Sequence, residues 1–270
     1  MNLINVNNLN FHFNNNKVLD NINININSDE FCVITGPNGS GKSTLLKLIL
    51  NILEGNSGEI LVKNENIKKI KSIDLAKTIS YVKQNFYETS NLTFTVKEII
   101  EMGRYPYKSG FFSLSKEDRD IIDRYIQFTN LWDIKDRQFC KLSGGEKQRV
   151  IITKALVQDT DIIVLDEPLA NLDMYYRVEF MELLTYLNKN LNKTVIIVLH
   201  DINLTIKYAK RIILMEKGKI KFDGDKDNII KEKILEDIYK LKFDIIENEI
   251  GKYIFPKKNQ FNFKFGGDKL

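Results

Sequence analysis

Cysteine is scarce in this chain. Cys32 and Cys140 are the only two, too few and too scattered for a disulfide framework or a zinc site. Cys32 falls in an apolar run and reads as a small core residue rather than a reactive thiol, and a reducing compartment fits. Histidine is as rare, with His12 and His200 alone. No uninterrupted apolar run approaches the ~18 residues of a membrane span. The opening Met1-Asn2-Leu3-Ile4-Asn5-Val6 alternates where a secretory leader would carry an apolar block, so no leader is expected. An excess of one charge is missing too: 40 basic and 36 acidic residues leave a net charge of +4. Without a dense basic cluster interleaved with aromatics, nucleic acid is not an expected partner. What is present is ordinary for a soluble globular protein, 43% hydrophobic and 28% charged. The length, 270 residues, allows one large α/β domain with additions or two modest ones. Asparagine runs such as Asn14-Asn15-Asn16 reflect compositional bias and blur helix signals, because Asn is a weak helix former.

Residues 3–13 and 18–26 alternate, most cleanly in Ile22-Asn23-Ile24-Asn25-Ile26, which predicts half-buried antiparallel strands around a turn at 14–17. Apolar runs at 31–34, 79–82, 161–165, 194–199 and 211–215 read as buried strands, with a further strand at 59–62. From about 85 to 159 strand signals vanish, and 96–102, 118–128 and 146–158 read as helices of an insertion. A helical pattern over 174–191 lies between two of the buried strands, which implies a parallel sheet with crossover helices. Residues 217–219 turn the last strand into a hairpin partner at 220–222. Beyond 225 the pattern predicts a helix near 229–241 and short strands around 243–246 and 253–255, with little order after Pro256.

The chemistry concentrates in three places. Gly36-Pro37-Asn38-Gly39-Ser40-Gly41-Lys42-Ser43-Thr44 fits G-x-x-x-x-G-K-[ST], the phosphate-binding P-loop, between a predicted strand and a predicted helix. Its glycines let successive N–H groups face one concavity, and the helix adds its positive dipole end beneath the same phosphates. Lys42 is expected to reach the β- and γ-phosphates of a nucleotide, and the Ser43 hydroxyl to ligate Mg²⁺. Second, Ile162-Ile163-Val164-Leu165-Asp166-Glu167-Pro168 is a buried strand ending in two acids. Asp166 suits Mg²⁺ held through its water shell. Glu167, pointing the other way along an extended chain, is placed to take a proton from water attacking the γ-phosphate. Third, Leu142-Ser143-Gly144-Gly145-Glu146 opens a helix. Read alone it is either a second anion site at a helix N-terminus or an ordinary serine cap.

With these motifs stand Gln84 at a strand end, Asn171-Leu172-Asp173 just after the acidic pair, and His200 closing a strand. Together, in this order and spacing, they resemble the ATP-binding-cassette (ABC) ATPases over about residues 1–225. The resemblance implies the α/β fold of a P-loop NTPase: a RecA-like parallel-sheet core, an antiparallel β subdomain and a helical insertion subdomain near 85–159. Residues 226–270 would be a C-terminal extension and tail. It also implies a head-to-tail homodimer sandwiching two ATP molecules. Ser143, Gly144 and Gly145 of one subunit would then bind the ATP held by the partner's Lys42. Gln84 would bridge Mg²⁺, the water and the membrane-facing surface, His200 would contact the γ-phosphate, and Asp173 would shape the dimer interface. Phe13 stands where the family usually stacks a tyrosine on adenine. A phenyl ring can do the same, or Phe13 is core beside Phe11 on the same strand face. Leu169-Ala170 replaces the family's more common Thr-Ser pair, a neutral change.

One cassette without a fused span points to an importer subunit rather than an exporter or translation factor. Glu101-Met102-Gly103-Arg104-Tyr105-Pro106-Tyr107 and Lys252-Tyr253-Ile254-Phe255-Pro256 are similar to stretches of iron-chelate and vitamin B12 importer ATPases. The expectation is an ATPase on the cytoplasmic face of the membrane, bound to a permease dimer and indirectly to a substrate-binding protein. Its cargo would be a ferric siderophore, haem or cobalamin. An importer of another solute, or a soluble nucleotide-switched regulator, is the alternative.

Overall fold

The computed structural model describes residues 2–83, 93–108, 114–170, 172–231, 233–249 and 251–257. Alternation builds its first layer. Strands β1 (Asn2–Phe13) and β2 (Asn16–Asn27) pair antiparallel, with the isoleucines at 22, 24 and 26 buried and Asn21, Asn23 and Asn25 exposed. On the other edge of β1 run β4 (Ser57–Val62) and β5 (Glu65–Asn66), giving the order β2-β1-β4-β5.

The second sheet has six strands in the order β10-β9-β3-β8-β7-β6. These are β3 (Phe31–Thr35), β6 (Ile79–Val82), β7 (Ile162–Asp166), β8 (Thr194–Val198), β9 (Arg211–Glu216) and β10 (Lys219–Asp225). All pairings are parallel except the β9–β10 hairpin. The central strands β3, β7 and β8 are buried throughout and mostly apolar because both faces are covered. In β3, Phe31 and Val33 enter one core cluster while Cys32 and Ile34 enter the other. The second cluster fills the space between this sheet, the antiparallel sheet and helix α1 (Lys42–Ile49). Burial pushes the Cys32 thiol well up, so it stays protonated and inert.

Helices cover the first face: α3 (Val96–Glu101), α4 (Lys116–Phe128), α5 (Gly144–Leu156) and α6 (Met174–Asn190), the last being the crossover from β7 to β8. A short α2 (Ser72–Ala76) precedes β6. Helix α7 (Ile202–Tyr208), between β8 and β9, has no counterpart in the sequence reading. Its Ile, Asn, Thr and Tyr residues have weak helix propensity. The start signal is Asp201, whose carboxylate accepts from the Asn203 and Leu204 N–H groups at 2.9 and 3.0 Å.

The single helix expected near 229–241 is instead two, α8 (Lys226–Lys231) and α9 (Ile234–Tyr239). Ile229, Leu235 and Ile238 all enter the same core cluster. A continuous helix would turn Leu235, six residues on from Ile229, to a different face; the break brings both inward. Strands β11 (Phe243–Asn248) and β12 (Gly251–Pro256) form a hairpin. The Asn203 side chain binds it like a strand edge, donating to the Ile254 carbonyl at 3.2 Å and accepting from its N–H at 2.8 Å.

The stretch from Met102 to Tyr107 is a 3-10 turn with two roles that the sequence did not separate. Tyr105 is 69% exposed and Met102 38%, as a partner surface would be. Arg104 points inward. At 5% exposure it pairs with Asp118 at 2.7 Å, donates to the Val157 carbonyl at 2.9 Å and lies 3.8 Å over the Tyr107 ring. Gly103 permits this approach, since a Cβ there would sit 2.1 Å from the Lys154 carbonyl oxygen. The turn thus staples the start of α4 to the end of α5. Burial pushes the Asp118 carboxyl up, but bonds from Ser115 and Arg104 hold it below its ordinary value. The stabilisation from this pair is present at neutral pH and lost on acidification through the carboxylate range. Arg104→Ala leaves Asp118 buried without its counter-charge, held by Ser115 alone, and is expected to cost about 3–5 kcal/mol. Urea melts at neutral pH check this; a cost under about 1 kcal/mol contradicts the staple.

Candidate nucleotide-binding and hydrolysis site

Strand β3 ends at Thr35, and the chain turns at Gly36 with φ 141°. A Cβ at Gly36 would lie 2.1 Å from the Met215 carbonyl, so only glycine lets the loop pass β9 this closely. Gly41, at φ 102°, is the residue before α1. Between them Lys42 folds back into the loop. Its ammonium donates to the carbonyls of Gly36 and Pro37 at 2.9 Å each and lies 3.4 Å from the Ser40 hydroxyl. Burial lowers its pKa, opposed by the Glu167 and Asp166 carboxylates. A buried cation ringed by neutral oxygens is a strong donor for phosphate oxygens, which would replace those carbonyls with charged acceptors.

Ser43, first turn of α1, donates to Asp166 Oδ1 at 2.9 Å, across the intervening strand β8. Asp166 is buried at the end of β7. Burial raises its pKa, while the Ser43 bond and the cations of Lys47 and Lys42 hold it down. This hydroxyl–carboxylate pair is the hard oxygen donor set that Mg²⁺ takes. Among the described residues no group of three or more His, Cys, Asp or Glu could hold an ion alone. The pair therefore fits a metal that shares its ligands with phosphate and water. Gln84 lies outside the described residues.

Glu167 corrects the sequence reading in one respect. The backbone there is not extended: φ is 49°, a left-handed turn. That turn brings Glu167 Oε1 within 2.6 Å of His200 Nε2. The β7–β8 register, with Asp166 beside Val198, carries both residues past the strand ends on the same side. His200 is the more exposed partner. A carboxylate oriented by an imidazole at the mouth of a cleft is suited to accept a proton from water. The cleft, about 180 Å³, is also lined by Ala170 and Arg177. Arg177 was not legible as a site residue. Its one signal is position, four residues after Asp173, with Nε donating to the Leu172 carbonyl at 2.8 Å.

The Ser143 motif is built as a helix cap. Ser143 Oγ accepts from the Glu146 N–H at 3.3 Å, and Glu146 accepts from the Ser143 N–H and hydroxyl at 2.8 and 2.7 Å. This is a capping box. Ser143 caps α5, and Ser143 and Gly144 remain exposed. No hydrogen bond among the described residues joins Ser143 to the P-loop. Asp173, also exposed, caps α6 by accepting from the Tyr176 N–H at 3.1 Å. At the end of β1, Phe13 is 51% exposed and meets the buried Phe11 edge-on at 4.7 Å. Sharing a strand face does not make it core, and its outer π-face is open for stacking. His12 is exposed on β1.

A glycine-rich loop gripping a lysine, and a serine–aspartate pair across the sheet, define a nucleotide triphosphatase of the P-loop class. Residues 19–170 match the model of the ABC transporter family, and the chain belongs to that family of ATP-binding subunits, which couple ATP hydrolysis to transport. It is 38% identical over 240 residues to the petrobactin import ATP-binding protein FpuC of Bacillus anthracis, covering 89% of this chain and 88% of that protein. It is 34% identical over 233 residues to the ferric enterobactin transport ATP-binding protein FepC of Escherichia coli (strain K12), covering 86% and 85%. A solved chain described as a metal-chelate type ABC transporter in an inward-facing conformation superposes with a TM-score of 0.83 at 26% identity, over 96% of this chain and 98% of that one.

Proposed function

We propose that this chain powers import of an iron chelate of the siderophore class through a separate membrane permease. The observation that supports the reading is the Lys42, Ser43–Asp166 and Glu167–His200 arrangement in a chain whose relatives are named for petrobactin import and ferric enterobactin transport, matched over 88% and 85% of their length. No described helix is long and apolar enough to cross a membrane. The translocation path then belongs to a partner, and this subunit docks on the cytoplasmic face through the exposed Tyr105 and Met102. A substrate-binding protein would deliver cargo to the same permease. We read the cassette as ending near 225, with 226–257 packed on α7 as an extension.

Two subunits meet head to tail in this reading. Lys42 exchanges the Gly36 and Pro37 carbonyls for phosphate oxygens, and Phe13 stacks on adenine. Ser43 and Asp166, with Gln84, would hold Mg²⁺, which neutralises phosphate charge when bound. Ser143 and Gly145 of the opposite subunit close over the γ-phosphate, and Asp173 borders the interface. Glu167 takes the proton from the attacking water, and His200 fixes the orientation of its carboxylate.

The test is purification with the permease, reconstitution in vesicles, and uptake of radioactive iron as a ferric siderophore. ATP-dependent uptake, absent with Lys42→Ala, is expected. Uptake of haem or cobalamin in place of the ferric chelate overturns the cargo, and failure of any permease to co-purify overturns the importer reading.

A further inference from the structure

Helices α5 and α6 carry the serine cap and the Asp173 cap at their first turns, and one residue touches both. Tyr176 donates its backbone N–H to Asp173 Oδ1 at 3.1 Å. Its ring lies flat against Gly145: a Cβ built there would be 2.6 Å from Cγ, Cδ1 and Cδ2 alike. One turn further along both helices, Arg149 grips the Glu179 carboxylate with both oxygens within reach, at 2.8 and 2.6 Å. The helices are pinned at two successive turns, with glycine as the only residue that admits the ring.

Beside this contact lies a cavity of about 150 Å³, lined by Gly145, Gln148, Ile152, Tyr176 and Leu183 among others. Interiors are otherwise close-packed, so the ring borders free space beside Gly145. At that turn the face of the Tyr176 ring lies against Gly145 and limits how closely α5 approaches α6. A displacement of Gly145 must be followed by the Tyr176 ring, and through its N–H by Asp173. Loss of the ring leaves both caps intact and uncouples them.

We infer that Tyr176 is a positioning residue that sets the Ser143–Gly145 turn and Asp173 in fixed register, so that both meet the opposite subunit together. The inference rests on the shared-site reading above. Tyr176 touches neither nucleotide nor Glu167; it acts through Gly145 and Asp173.

The experiment uses the full chain with Tyr176→Ala and Tyr176→Phe. Phe keeps the ring and the backbone N–H. Tyr176→Ala is expected to lower kcat for ATP at least tenfold, with affinity of the isolated subunit for a fluorescent ATP analogue unchanged within twofold. Tyr176→Phe should retain kcat within twofold. Amide exchange of the isolated subunit should rise together over 143–148 and 172–176 in the Ala variant, and in the Phe variant match the parent. That readout needs no dimer, so it judges Tyr176 even if ATP fails to pair two subunits, a failure that would count against the shared-site reading instead. Wild-type kcat for Tyr176→Ala overturns the proposal. So does an equal fall in kcat and ATP affinity, the mark of general unfolding, or a rise in exchange confined to one of the two segments.

Discussion

Glu167→Gln is expected to slow ATP hydrolysis by about 10²–10⁴-fold, the usual loss when general-base assistance is removed. The amide keeps the size of the side chain and can still meet His200 Nε2, now 2.6 Å from the carboxylate, but it cannot take a proton. Lys42, Ser43 and Asp166 are untouched, so ATP still binds. Removing a negative charge beside the γ-phosphate also eases closure, and an ATP-bound dimer should accumulate. Light scattering with Mg²⁺-ATP reads this as a doubling of mass. Asp166→Asn separates the metal site from the base. Burial raises the Asp166 pKa, so its ionised form weakens the free subunit at neutral pH, and that cost is relieved on acidification below its folded pKa. The Asn variant should therefore melt higher without ligand, yet hydrolyse poorly and trap no dimer. Wild-type turnover by Glu167→Gln removes Glu167 as the base.

Lys42→Ala is expected to weaken ATP binding by at least about 10²-fold, since hydrogen bonds to a charged group are worth about 1.5–3 kcal/mol each. The loss acts twice. The phosphates lose their cation, and the carbonyls of Gly36 and Pro37 lose the donor that shapes the loop. A fluorescent ATP analogue measures the affinity, and thermal melts supply a second reading. Mg²⁺-ATP raises Tm for any chain that binds it only when folded, and the variant should show no rise. Unchanged affinity would show that the loop is only a turn.

Much of this site was legible because its chemistry is local. The spacing of Gly36, Gly41, Lys42 and Ser43 specifies an anion cradle, since the turn and the helix start lie within one short segment. Ser143 announced itself in the same way, as an N-cap three residues before Glu146. Helix α7 was invisible to propensity, and the break between α8 and α9 followed from where the core lies, which one-dimensional periodicity cannot express.

By itself, then, the sequence determined the class of fold, the phosphate loop, the acidic pair and the Ser143 cap, because most of these depend on neighbours within a few residues. Only the tertiary structure decided what those groups meet. The left-handed turn at Glu167 and its bond to His200 depend on two parallel strands in register, 33 residues apart in the chain. The inward turn of Arg104 depends on Asp118, and the flat seat of Tyr176 on Gly145 depends on two helices packing at one distance. Such contacts are set by the closing of a core over long loops, whose partners no local pattern names.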